Sequence, residues 1–309
     1  MDLSLYSPIA HHSINVYLLL GLGGSVGFLS GLCGVGGGFL MTPLLMMFGV
    51  PPTVAAASDS AQIVASATSG AYAHYRVGHV DFKMGLHIFA GGLIGSTLGV
   101  EIIRRMREAG NVNFFIDAMY VVTLGIVGSY MMFEAIRCLG KNGETVTDKA
   151  PSKISFAERV SQILPWTVEF EKSGIRLSPA LPFLVGGFVG MVAAILGVGG
   201  GFIMIPAMCY ILRMPIRTVV GTNLFQEVLL CANVTIMQAV ENRSVDLSIA
   251  LIILCGSTVG AQFGAGLGHR LKADYLKVIL SSIVLLVMAK ILLGLVLQPA
   301  ILLSLKGGQ

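Results

Sequence analysis

The chain has 309 residues, 55% of them hydrophobic and only 12% charged, with a mean hydropathy of +0.83. A soluble domain carries about 25% charged residues, so half the expected charge is missing and a soluble globular class is excluded. The formal net charge of +4 is ordinary for a membrane protein with basic loops and points to no nucleic-acid partner.

Residues 1–13 hold no Lys or Arg, and the apolar run that follows outlasts a signal-peptide core. That run reads as a retained membrane helix. Asp59 is the sole formally charged residue over 14–75, and there is none over 181–212 or 247–268. Because about 20 apolar residues cross a bilayer as a helix, the chain is expected to be an all-α, polytopic membrane bundle. The apolar segments fall at 14–33, 39–50, 54–75, 83–103 and 113–137, then at 180–196, 202–212, 216–240, 247–268 and 273–297. The second of each five is too short to span the bilayer and reads as a broken or re-entrant helix. About eight full transmembrane helices plus two short ones are expected.

The two series correspond. GVGGGF stands at 34–39 and again at 197–202. The cluster Ser58, Asp59, Gln62 is matched by Thr222, Asn223, Gln226; Val80-Asp81 is matched by Val245-Asp246; and Gly91, Gly95, Gly99 are matched by Gly256, Gly260, Gly264. A fixed order at a spacing that drifts by one residue per loop is the mark of an internal repeat. The expected division is an N-terminal segment 1–13, a first repeat 14–138, a polar linker 139–178, a second repeat 179–298 and a tail 299–309. Within the linker, residues 154–170 read either as an interfacial amphipathic helix or as a partly ordered connection. The basic linker and the Arg104-Arg105-Met106-Arg107 cluster pull the orientation in opposite directions, leaving topology open.

The glycine triplets, Gly36, Gly37, Gly38 and Gly199, Gly200, Gly201, lack the lysine and the strand context of a nucleotide loop. They read as helix breaks that expose backbone groups, which hydrocarbon tolerates only around a protein-lined or water-lined cavity. Matched interruptions in two halves point to a transporter site, and the N-termini of the short helices suit an anion there; close packing is the competing reading. Ser58, Asp59, Gln62, Thr222, Asn223 and Gln226 place neutral donors and one carboxylate on the third segments, either as site residues or as interhelical hydrogen bonds. Asp59 and Glu227 either relay a proton or pair with a base such as Arg76 or Lys290. Asp81 and Asp246 read as helix N-caps, the glycine ladders as packing faces, and His74 and His87 as capping or interface residues. The five cysteines have no metal spacing; no metal and no cofactor are expected. No catalytic cluster stands out, so the chain is not read as an enzyme.

The paired order GVGGGF…Pro43 and GVGGGF…Pro206, the GTNLFQ element at 221–226 and the Val-Asp entries to the fourth segments resemble the sulfite exporter TauE/SafE (TSUP) family. The resemblance covers about 27–138 and 179–272. It implies a multi-pass protein of the inner (cytoplasmic) membrane that moves a small anion, sulfite or an organosulfonate, outward as a secondary transporter. Its partners would be that anion, the lipid bilayer and, in a homo-oligomer, copies of itself. The competing reading is a non-transporting scaffold or assembly factor. The first half departs from the family pattern by placing Ser58-Asp59 where a threonine and a varied residue are common.

Overall fold

The computed structural model describes residues 4–7, 12–33, 38–110, 112–140, 168–170, 172–268 and 273–297. A short hairpin, β1 (Ser4–Ser7) and β2 (His12–Asn15), precedes α1 (Val16–Cys33), α2 (Gly38–Met47), α3 (Pro52–Arg76), α4 (Phe82–Glu108) and α5 (Val112–Gly140). A second hairpin, β3 (Val168–Phe170) and β4 (Ile175–Leu177), precedes α6 (Ala180–Leu196) and α7 (Gly201–Pro206). α7 runs on as a single π-helical turn, Ala207–Ile211, after Pro206 withdraws its backbone N–H. α8 (Ile216–Val240), α9 (Leu247–Gly268) and α10 (Ala273–Leu297) complete the chain.

The helical class is as expected. Among the described residues four helices, within α4, α5, α8 and α9, are long and apolar enough to cross a membrane, and five further apolar helices are shorter. α3 has 25 residues, about 37 Å of rise, but its run of Ser, Asp and Gln lowers its hydropathy. Most of the amphipathic stretch expected at 154–170 lies outside the described residues. Its last three residues are neither of the two expected alternatives but a strand, because β3 pairs antiparallel with β4 around a turn at 172–174. Phe170, fully buried, inserts this hairpin beneath His87, with ring centroids 5.7 Å apart.

Two helix pairs frame the bundle, α1 on α9 and α4 on α6, with α3 against α8 and α5 against α10 between them. The glycine ladders make the first two pairs close. A Cβ on Gly95 would lie 1.9 Å from the Gly187 carbonyl oxygen, and one on Gly260 would lie 2.0 Å from that of Gly24. Small residues therefore let backbones touch, the standard device of helix association in lipid. The outward faces carry Leu98, Phe188 and Phe263, which are 55%, 62% and 72% exposed, an apolar belt suited to hydrocarbon. At the far end of α4, Arg104 reaches Glu101, Glu108 and Glu241 at 3.3–3.6 Å, so that basic cluster is locally balanced.

Both expected caps form. The Asp81 carboxylate accepts from the Met84 N–H at 3.1 Å, and that of Asp246 accepts from the Ser248 and Ile249 N–H groups at 2.9 and 3.2 Å. Asp81 Oδ2 also accepts from the Ser173 hydroxyl at 2.5 Å, which ties the β3–β4 hairpin to the start of α4. Asp81→Ala is expected to lower stability by about 1–2 kcal/mol, read as an earlier thermal transition in detergent with the helical signal retained.

Candidate functional site

The second hexapeptide is a helix break. α6 ends in a left-handed Gly197 (φ 70°), whose N–H donates to the Ala193 carbonyl at 2.7 Å, the ordinary glycine stop. Gly199 and Gly200 also have positive φ, 68° and 79°, and α7 starts at the next residue. In the first copy α2 starts at Gly38; Gly36 and Gly37 lie outside the described residues. The start of α2 meets the second break in the bundle. A Cβ on Gly38 would come 3.1 Å from the Val198 carbonyl oxygen, and Phe39 stacks on Phe202 with centroids 5.4 Å apart and planes 26° from parallel.

Around the breaks, α3 and α8 cross antiparallel, Gly70 lying against Leu224 and His74 against Gly221. These two helices carry the polar residues singled out from the sequence. Ser58, Asp59, Thr222, Asn223, Gln226 and Glu227 are each at most 1% exposed, and Gln62 is 5% exposed. Such burial of polar groups is costly unless they are hydrogen-bonded, and most are. The Ser58 hydroxyl accepts from the Asp246 backbone N–H at 3.0 Å, while Thr222 Oγ1 accepts from that of Asp81 at 2.9 Å. Ser58 thus holds the cap residue of α9 and Thr222 that of α4. Gln62 Nε2 donates to Ser257 Oγ on α9 at 3.0 Å, and Gln226 Nε2 donates to Asn223 Oδ1 at 3.2 Å.

The two carboxylates have different surroundings. Asp59 Oδ2 accepts from Thr42 Oγ1 on α2 at 2.8 Å, the carboxylate also takes a hydrogen bond from the Thr42 backbone, and Asp59 Oδ1 has no protein partner. Glu227 Oε2 accepts from Asn223 Nδ2 at 3.2 Å, and its carboxylate also takes a hydrogen bond from the Gly201 backbone, the first residue of α7. A Cβ on Gly199 would lie 2.4 Å from Glu227 Oε1, so the break's lack of side chains is what admits the carboxylate. The anion seated at this helix start therefore belongs to the chain itself. The two carboxylates are met by Thr42 and Asn223, not by Arg76 or Lys290. Gln226 Oε1 is the other unpartnered buried atom of the cluster.

Two contributors, Thr42 and Tyr120, were not singled out from the sequence. Thr42 follows the first hexapeptide by one turn and has a hydroxyl that fits Asp59. Tyr120, fully buried on α5, donates its hydroxyl to the Leu196 carbonyl at the end of α6. Ser60 Oγ donates to the Gly197 carbonyl oxygen at 3.3 Å. A lone Tyr or Thr in an apolar segment gives no sign of its partner. The doubling of GVGGGF was the one signal that marked where those partners would converge.

A many-helix membrane protein whose buried polar core lies at paired helix breaks is the class that fold and site define. Residues 19–291 match the family model described as Sulfite exporter TauE/SafE, and the chain belongs to that family. It is 26% identical to the "Probable membrane transporter protein YjnA" of Bacillus subtilis, over 87% of this chain and 95% of that one. It is also 26% identical to a "Probable membrane transporter protein" of Xylella fastidiosa, over 84% and 87% of the two chains. A shorter match, 27% identity over 34% of this chain and 25% of the other, is to "Sulfite exporter TauE/SafE family protein 6" of Arabidopsis thaliana. No solved structure matches. The family and these relatives make the chain a membrane transporter rather than an enzyme.

Proposed function

We propose that the chain is a secondary transporter that exports a small anion, sulfite or an organosulfonate, across the cytoplasmic membrane. The observation that carries this reading is the closed polar cluster at the helix breaks. Asp59, Gln62, Asn223, Gln226 and Glu227 are all buried, and Asn223 and Glu227 lie against the glycine backbone of Gly201, where a scaffold has no use for them. Intramembrane ionisable groups mark transport pathways by default.

In this proposal the chain is two homologous halves, 14–138 and 179–298, exchanging equivalent contacts. α1 packs on α9 as α6 packs on α4; Phe39 meets its counterpart Phe202; Ser58 holds Asp246 as Thr222 holds Asp81. Releasing Asp81 or Asp246 frees one hydroxyl, opens one end of the bundle and lets an oxyanion take Thr222 or Ser58 together with the neighbouring carboxamides and the glycine backbone at 36–38 or 199–201. The anion then displaces Glu227 from its donors, and a proton on Asp59 or Glu227 travels with the cycle.

The test is flux in proteoliposomes with labelled sulfite, thiosulfate and sulfoacetate, with and without an imposed pH gradient. Saturable flux of at least one of them is expected. Absence of flux for every small oxyanion tried, with correctly folded protein in the membrane, overturns the proposal and favours a scaffold.

A further inference from the structure

The last turns of α3, the loop after it, the start of α4 and the middle of α8 enclose a groove of about 380 Å³. Its walls are apolar and aromatic. Tyr75 meets Phe82 edge-on at 5.7 Å, Phe82 meets Phe225 at 5.0 Å, and Val80 and Val228 close the floor. The groove opens on the outer surface, where Tyr72 and Tyr75 are 62% and 55% exposed. One cation lies over its aromatic wall, and two more adjoin wall residues in sequence. Lys172 Nζ lies 5.8 Å from the Phe82 centroid; Lys83 adjoins Phe82 in sequence and Arg76 adjoins Tyr75, and all three cations are exposed. Among the described residues none of the three is ion-paired, unlike Arg104, Arg105 and Arg176, which are.

We propose that this groove takes one acyl chain of an anionic phospholipid, with the lipid phosphate on Lys172, Arg76 and Lys83. The apolar slot supplies no donors for a small free anion but suits a hydrocarbon chain. The basic rim selects a negative headgroup, as clustered Lys and Arg do beside a membrane, and exposed tyrosines sit at the headgroup level. A second copy of the chain is a poorer fit, because a stable dimer needs a broad face of roughly 800 Å² per partner, not a slot rimmed by like charges. The inference concerns a site apart from the polar cluster and holds whatever anion is transported.

Native mass spectrometry of the full chain, released from micelles doped with equal phosphatidylglycerol and phosphatidylethanolamine, tests it. One retained phosphatidylglycerol is expected, preferred by about tenfold. Lys172→Gln with Arg76→Gln should bring that preference close to unity. Ala71→Trp, which fills the groove, should remove both lipids while leaving the thermal transition in place. Equal retention of the two lipids by the unaltered chain overturns the proposal, as does undiminished phosphatidylglycerol on a folded Ala71→Trp variant. A dimer mass that disappears with Ala71→Trp overturns it in favour of a second copy. If Ala71→Trp does not fold, the charge-neutral pair decides alone.

Discussion

Gly197→Ala is expected to leave little folded protein. Gly197 sits at φ 70°, where a side chain costs about 1–2 kcal/mol. Its Cβ would also stand 2.2 Å from the Ala56 carbonyl oxygen, 2.3 Å from Ala56 Cα and 2.4 Å from Ala56 carbonyl carbon. Those are backbone atoms of α3, and Ala56 is 1% exposed, so no flexible side chain can yield. Overpacking adds about 1–3 kcal/mol or more, and the two together reach on the order of 3–5 kcal/mol, a large part of a domain's stability of about 5–15 kcal/mol. Gly125→Ala is the control. Nothing lies within 4 Å of a Cβ there, α5 continues on both sides, and the substitution should be neutral or stabilise by up to about 1 kcal/mol. Melting followed by gel filtration in detergent checks both. A Gly197→Ala protein that melts with the unaltered chain means that α6 does not end against α3 in this way.

The helices were legible because in lipid the apolar span itself defines the element. The segments read at 180–196, 216–240, 247–268 and 273–297 are helices with those bounds. The short second segments are also short helices, α2 with 10 residues and α7 with its π turn over Gly201–Ile211. The roles of the polar residues were less legible. Ser58 and Thr222 stood out as polar groups in apolar surroundings, yet nothing in their own segments shows that each reaches a cap residue 188 or 141 positions away. Such pairings depend on which helices cross, and the crossing is fixed by glycine contacts whose partners, Phe183 or Leu20, carry no distinguishing pattern. The residue 168–170 strand was missed for a related reason: three residues paired across a tight turn are too few to display a period.

On the proposal that the chain is two homologous halves, the halves differ where the chemistry lies. At equivalent positions the first half has Asp59 and Ile63, and the second has Asn223 and Glu227. Gly38 abuts the Ile63 side chain while Gly201 abuts Asn223 and both Glu227 oxygens. One short helix therefore begins against hydrocarbon and the other against a carboxylate. Each half contributes one carboxylate, but at different levels of the α3–α8 crossing, and a symmetric pair would have set two like charges in matching places.

Asp59→Asn should abolish net flux driven by a pH gradient while sparing exchange of labelled for unlabelled anion. Asp59 Oδ1 has no protein partner, and Thr42 alone, through its hydroxyl and its backbone N–H, serves the carboxylate. An ionised carboxylate this enclosed is expensive without a compensating charge, so on the proposed cycle its proton arrives and leaves with each turnover. Asparagine matches its shape, keeps an oxygen for Thr42 and removes the exchangeable proton; binding and exchange survive, and coupling does not. Glu227→Gln acts differently. Glu227 accepts from Asn223 Nδ2 and the Gly201 backbone, and a carboxamide can satisfy those donors with only one oxygen. The variant should hold the helix start less tightly, so the substrate anion displaces it more easily and the half-saturating concentration falls, by about tenfold if one charge-assisted hydrogen bond of about 1.5 kcal/mol is lost. Measuring exchange and gradient-driven flux side by side separates the two carboxylates. Gradient-driven flux through Asp59→Asn equal to that of the unaltered chain removes Asp59 from coupling, and an unchanged half-saturation in Glu227→Gln removes Glu227 from competition with the anion.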